Sequence, residues 1–152
     1  MRTKDVVVNG VQYRVRKMDV DTGTYIYMRM MRAVAETAEK RVQANLTAQE
    51  APEPDSELTP EQKAKLLCGM AFVYGIDFED SKFIRRAAMQ ASSTVNQGPS
   101  NELVLPVMSS DGRWTPPAAL SDDPASAQEL TLEVLAFNLA PFFEKRLPAT
   151  QT

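Results

Sequence analysis

Two groups of carboxylates are the residues best spaced for chemistry: Asp77, Glu79 and Asp80 within four positions, and Asp122 beside Asp123. Acids so placed can hold a divalent cation or divide acid and base duties, provided one sits in a pocket with a second acid or a metal. Both groups, however, stand where helices are expected to begin, and acidic side chains there complement the helix dipole without any reaction. No catalytic, cofactor-binding or metal-ligating residue is therefore assigned, and no enzymatic activity is expected. The remaining inventory agrees. The chain has no histidine, which removes the most used general base, the imidazole-dependent triads and the commonest zinc ligand. Cys68 is the single cysteine, too few for a cysteine-only metal site or an intramolecular disulfide, and a reducing compartment fits it. Among Leu66, Leu67, Met70 and Phe72 it reads as a small buried thiol. Gly10, Gly23, Gly69, Gly75, Gly98 and Gly112 are all isolated, so neither a P-loop nor a dinucleotide fingerprint exists.

What must position such residues is one domain of 152 residues, with an acidic loop at 47–58 and an irregular segment at 92–123. The 43% hydrophobic content is that of a globular protein. A net charge of -3 argues against a dedicated nucleic-acid binder. The charge is uneven: residues 1–46 carry nine basic against five acidic side chains, and 49–80 carry two against eight. One subunit's basic end facing another's acidic middle would use that asymmetry, and plain solvated surface would also explain it. The opening MRTKDVVVNG has three consecutive apolar residues before a turn, so no signal peptide is expected, and no run is long enough to span a bilayer.

The expected fold is α+β and mainly α-helical, an N-terminal β-hairpin packed on a bundle of about four helices, with a second short hairpin. Val6-Val7-Val8 and Val11 to Arg16 flank Asn9-Gly10, a pair suited to the positive φ angles of a type I′ turn. A helix comes next, from about Asp21 to Leu46, capped by Asp21 or Thr22, with Ile26, Tyr27, Met30, Met31, Val34, Ala35, Ala38 and Val42 at helical spacing. Met28 widens that apolar arc. Most of the methionines suit core filling, while Met28 at the edge suits an adaptable contact. Thr59-Pro60-Glu61-Gln62 is a capping box with proline in the first turn. The helix it starts should carry Leu66, Leu67, Met70 and Val73 inward and stop at Gly75. A third helix is expected over 80–91, packed through Phe83, Ile84, Ala87 and Ala88. Segments 103–108 and 113–115, joined through Ser109 to Gly112, read as the second hairpin, with Trp114 pinning the adjoining Thr115-Pro116-Pro117 to the core.

The stretch from Glu129 to Arg146, ELTLEVLAFNLAPFFEKR, carries large apolar side chains on two opposite faces. At about 100° per residue, Leu130, Val134 and Phe137 share one face, and Leu132, Leu135, Leu139, Phe142 and Phe143 the other. A helix apolar almost all round is either the centre of a core or shared with another chain. In a chain this short the second is favoured. Asp123-Pro124 should cap it, and Pro141 should kink it near Phe137.

Taken in order, three stretches resemble the tail assembly chaperones of long-tailed bacteriophages: VQYRVRKMDVDTGTYIYMRMM, DFEDSKFIRRAAMQA and LEVLAFNLAPFFEKR. The resemblance implies a mostly helical protein that self-associates and coats the tape measure protein before the tail tube polymerises around it. It further implies a host-cytoplasmic protein absent from the mature virion, with partners that include the tail tube protein and, in many members, a frameshift-extended form, but neither nucleic acid nor membrane. The family has no fixed binding residues. Its likeness here places Leu139, Phe142 and Phe143 at a contact surface, and the apolar arc of the first long helix adds Met28 and Met31. A structural head-to-tail connector or tail terminator of the virion would use the same apolar faces in a permanent ring. An enzyme would need the carboxylates of Asp77 or Asp80 in a cleft.

Overall fold

A computed structural model describes residues 2–43, 58–115 and 118–144, with the side chains of 37–43 and of Ala118 excepted. The expected acidic loop lies outside these residues, apart from Leu58. Strands β1 (Thr3–Val8) and β2 (Val11–Arg16) form the first hairpin, with Val8 opposite Val11. Asn9 at φ 49° and Gly10 at φ 79° make the positive-φ pair that the turn requires.

The chain then leaves the sheet for three helices, α1 (Val20–Gln43), α2 (Pro60–Tyr74) and α3 (Phe78–Gln90). It returns as β3 (Ser92–Gln97) and β4 (Glu102–Pro106), completing an antiparallel sheet in the order β1-β2-β3-β4. A short helix, α4 (Ala118–Ser121), leads to α5 (Pro124–Leu139), which tightens into a 3-10 turn at Ala140–Phe143. The architecture is α+β and mainly helical, as expected.

The starts of α1, α2, α3 and α5 each have a side chain that accepts from orphan amides. Asp19, rather than the expected Asp21 or Thr22, accepts from the Thr22 amide at 3.0 Å. Thr59 and Gln62 complete their reciprocal box, Asp77 accepts from the Asp80 amide at 2.7 Å, and Asp123 accepts from Ala125 and Ser126.

The segment expected to be irregular contains β3 and β4. Its Ser, Thr and Asn content hides a strand whose polar groups are bonded inside the fold: Ser92 Oγ donates to the Ala88 carbonyl at 2.8 Å and Thr94 Oγ1 to that of Leu105 at 3.4 Å. β4 pairs with β3, and the expected partner, residues 113–115, contributes one bridge between Met108 and Trp114. Trp114 is 40% exposed and anchors no core.

The inner face of the sheet presents Val6, Val8, Tyr13 and Val15 to Met89, Leu130, Val134 and Phe137. The outer face carries charged residues together with exposed Val7. There Arg14 bonds Asp5 at 2.8 Å and Glu102 at 3.0 Å. A second cluster joins Ile26, Met30 and Ala33 of α1, Ala64, Cys68 and Ala71 of α2, Ile84 of α3, and Leu135 and Leu139 of α5. The two faces read on the terminal helix are therefore real, but both are covered by this chain's own elements. This corrects the expectation of a helix shared with another subunit. Four helices and a sheet suffice because they converge on α5 from both sides, each large side chain it buries contributing roughly 1.5–3 kcal/mol.

The expected kink at Pro141 is absent. α5 instead changes to the 3-10 turn after Leu139. Lacking an N–H, Pro141 cannot donate to the carbonyl of Phe137. The ammonium of Lys17 donates to that carbonyl at 2.6 Å and lies 3.9 Å from the centre of the Phe137 ring.

Candidate protein-binding surface

The five residues expected at a contact surface separate into three environments. Met28 and Met31, on α1, are 64% and 41% exposed. Phe142 is 44% exposed and stacks on Tyr27 with centroids 3.9 Å apart, while Phe143 meets the same ring edge-on at 6.1 Å and packs against the second cluster. Leu139 is fully buried. It belongs to the interior of the subunit and is removed from the candidate surface, because no partner can reach it without unfolding α5.

A further uncovered apolar feature lies on α2. The inward stripe of that helix is built from small residues, Ala64, Cys68 and Ala71, all buried. Small side chains let neighbouring helices come close: a Cβ added to Gly75, which ends α2, would fall 2.7 Å from the Cβ of Ala33 on α1. With the small residues turned inward, Leu66 and Val73 point out, at 48% and 72% exposure, and Tyr74 and Phe78 come next at 58% and 73%. The expectation that Leu66 and Val73 face the core is corrected. Leu58, Gln62, Leu66, Gly69, Met70 and Val73 line a shallow groove of about 670 Å³. The stripe of Ala64, Cys68, Ala71 and Gly75 was the sequence signal for this orientation, since close helix packing selects small residues and leaves larger ones outside.

Several of the charged residues hold the fold. Asp77 caps α3, and Asp80 accepts from Arg29 and, at 3.2 Å, from the hydroxyl of Tyr25. Hydrogen bonding to Asp80 raises the pKa of both Arg29 and Tyr25, as expected for cationic and neutral donors beside a carboxylate. Lys4 pairs with Glu61 at 2.6 Å. Together with Arg29 and Asp80, this pair joins the basic N-terminal region to the acidic middle within one subunit, so part of the charge asymmetry is used internally. Asp123 accepts from Ser126 Oγ at 2.7 Å in capping α5. Among the described residues, no group of three or more His, Cys, Asp or Glu side chains is placed to hold a metal. A second concavity, a cleft of about 320 Å³ between α1 and α3, is lined in part by Arg16, Asp19, Phe83 and Arg86. Arg16 there donates to the Gln90 carbonyl at 2.7 Å, and Asp19 is occupied by its cap.

Cys68 has its thiol pKa pushed up to about 12 by burial. That makes it a packing residue rather than a nucleophile. No described helix is long and apolar enough to cross a membrane. No family model matches this chain, and no curated protein or solved structure matches it.

Proposed function

We propose that this protein is an assembly factor of the tail assembly chaperone type, which self-associates and coats the apolar stripes of a tape measure protein before a tail tube polymerises. The carrying observation is the pair of large apolar side chains Leu66 and Val73, two turns apart on one face of α2, both exposed and both lining the apolar groove. A shallow apolar groove of this length suits the side of an amphipathic helix better than a small ligand. Low affinity at each groove, multiplied by repeated subunits along one long client, gives strong coverage together with reversibility. Release then comes when tube subunits compete for the same stripes. The resemblance to the tail assembly chaperones supplies the client's identity.

Co-expression tests the reading. The reading requires that the full chain keep a helical tape-measure fragment soluble, and that Leu66→Asp with Val73→Asp lose this effect while retaining wild-type helicity. A fragment that stays equally soluble with the double variant overturns the role of α2. Mass spectrometry of purified particles separates this reading from a connector or tail terminator, because a chaperone is missing from the virion and a ring component is present.

A further inference from the structure

Strand β4 forms one edge of the sheet and pairs, among the described residues, with β3 alone. Two bonds just beyond its ends fix which way its backbone points. The Gly98 amide donates to the Asn101 carbonyl at 2.9 Å, and the Val107 amide to that of Ser92 at 3.0 Å. Bonded and unbonded pairs alternate along an antiparallel ladder, so Leu103 and Leu105 bond to β3 while Glu102, Val104 and Pro106 turn their backbone groups outward. The Pro106 end is guarded: proline has no N–H to offer, and its carbonyl accepts from the hydroxyl of Thr115. The outward amides of Glu102 and Val104 have no partner among the described residues.

The side chains along this edge are apolar and uncovered. Leu105 lies in one row with Thr94 and Tyr13, and Leu103 two positions away shares their helix-bearing face of the sheet. Yet Leu103 and Leu105 are 54% and 43% exposed and belong to neither apolar cluster. Val104, on the other face, is also exposed. The opposite edge is built differently. There β1 carries Lys4, paired with Glu61, and Asp5, paired with Arg14, and charges on an edge discourage strand addition. We infer that β4 is the self-association edge of the protein, pairing antiparallel with β4 of a second copy about a two-fold axis at Val104, so that the two sheets become one. The inference rests on the self-association in the assembly-factor reading and gives it a surface separate from the client groove on α2.

The edge selects both the occupant and the register. A row of free amides and carbonyls is matched by a strand, and the client in the proposed reading is helical, which leaves a second copy. With Val104 facing Val104 of the second copy, each donates to the other, and the Glu102 amide meets the Pro106 carbonyl of the second copy. Every outward N–H of β4 then has an acceptor. Leu103 faces Leu105 of the second copy in the unbonded pairs, whose Cα atoms come closest, about 4.5 Å apart, so the leucines of both copies cover one another. Moving the axis to Leu103 sets Glu102 diagonally beside Glu102 of the second copy, which like charges disfavour. Moving it to Leu105 puts Pro106 opposite Val104 and deprives the Val104 carbonyl of a donor. Larger slips set Glu102 or Pro106 against itself. One short strand pair is a small interface of the transient kind, in keeping with a factor that must later come apart.

Sedimentation velocity of the full chain up to a concentration on the order of 100 µM, with helicity and urea midpoints checked in parallel, tests the inference. The wild type should form dimers. Val104→Pro removes an N–H that β3 does not use, so it should weaken dimerisation by at least about tenfold while keeping the fold. Leu103→Lys with Leu105→Lys should do the same through the side chains. Val104→Cys should cross-link to itself on mild oxidation, because a bonded antiparallel pair holds its Cα atoms about 5.5 Å apart, within disulfide reach. Val7→Cys, at an exposed position of β1, should not, and Cys68 is buried and takes no part. A wild type that stays monomeric overturns the inference, as does a dimer that Val104→Pro leaves intact or a Val104→Cys cross-link no faster than that of Val7→Cys. A monomer whose β4 amides gain hydrogen-exchange protection only with the tape-measure fragment gives the edge to the client and overturns it equally. A dimer indifferent to Val104→Pro that still keeps the fragment soluble removes this edge alone. Dimers that Val104→Pro dissociates but that fail to keep the fragment soluble remove the functional reading and leave the edge standing.

Discussion

The ammonium of Lys17 donates to the carbonyl of Phe137 at 2.6 Å, replacing the backbone donor that Pro141 lacks. One residue on, Asn138 accepts from the Met18 amide at 2.7 Å and donates to the Arg16 carbonyl at 3.2 Å. These contacts fasten the entry of α1 to the exit of α5, some 120 residues apart in the chain. Asn138→Ala and Lys17→Met each leave a backbone group without its side-chain partner and should lower stability by about 1–3 kcal/mol. Urea midpoints at constant slope measure this, and unchanged midpoints for both variants would refute the role of the joint.

The contact between α1 and α2 is intolerant of one methyl group. A Cβ on Gly75 would lie 2.7 Å from both the Cβ and the carbonyl oxygen of Ala33. Gly75→Ala should cost about 1–3 kcal/mol through overpacking. Adding Ala33→Gly should recover only part of this, because the carbonyl remains. Full recovery in thermal melts would show that the two backbones do not approach so closely.

Cys68 provides a test of core closure. With a pKa of about 12 set by burial, roughly one thiol in ten thousand is ionised at pH 8. A thiol reagent should leave the native protein unmodified and label one group per chain in denaturant. Rapid labelling without denaturant would contradict the packing of α2 on α1 and α5.

Two helix caps contribute to the acid response. Asp19 and Asp123 have pKa values lowered below 3.8, chiefly by hydrogen bonds from the side chains of Thr22 and Ser126 respectively. A carboxyl with a depressed folded pKa contributes stability that is present above its unfolded value, so this contribution is complete above about pH 4 and is lost as pH falls through the lower folded values. Asp19→Asn with Asp123→Asn keeps a capping oxygen but removes the titration. Stability measured from pH 6 to pH 2 should fall less steeply in that variant than in the wild type, and equal slopes would assign the acid response elsewhere.

Leu139 and Val73 should respond unequally to substitution. Leu139 is fully buried and Val73 is 72% exposed. Leu139→Ala should destabilise by about 2–5 kcal/mol through transfer and cavity terms, while Val73→Asp should change stability by no more than about 0.5 kcal/mol. Calorimetry of the two variants reads this directly.

The helices were legible because their signals are local. Pro60 with its capping box, Gly75 as a stop, Asp123 before Pro124 and the Asn9-Gly10 turn all stand within a few residues of the elements they control. The two-faced pattern of α5 was legible too, yet its covering was not, since periodicity says that a face is buried but not by which chain. β3 was hidden because Ser92, Thr94 and Asn96 read as loop, and their suitability for a strand depends on partners in β2 and β4 that lie far off in sequence. For α2 the large apolar residues drew attention away from the small ones. Burial there tracked the closeness of packing at Ala64, Cys68 and Ala71, leaving Leu66 and Val73 outside and moving the candidate surface from Leu139 to this helix.

The position of α5 between two apolar clusters has a consequence for synthesis. Strands β1 and β2 and helices α1 to α3 emerge from a ribosome before the segment from Leu130 to Leu139 that both clusters enclose. Until that segment clears the exit tunnel, Tyr13, Ile26, Met30 and Ile84 lack the contacts that α5 brings, so neither cluster can close before α5 is made.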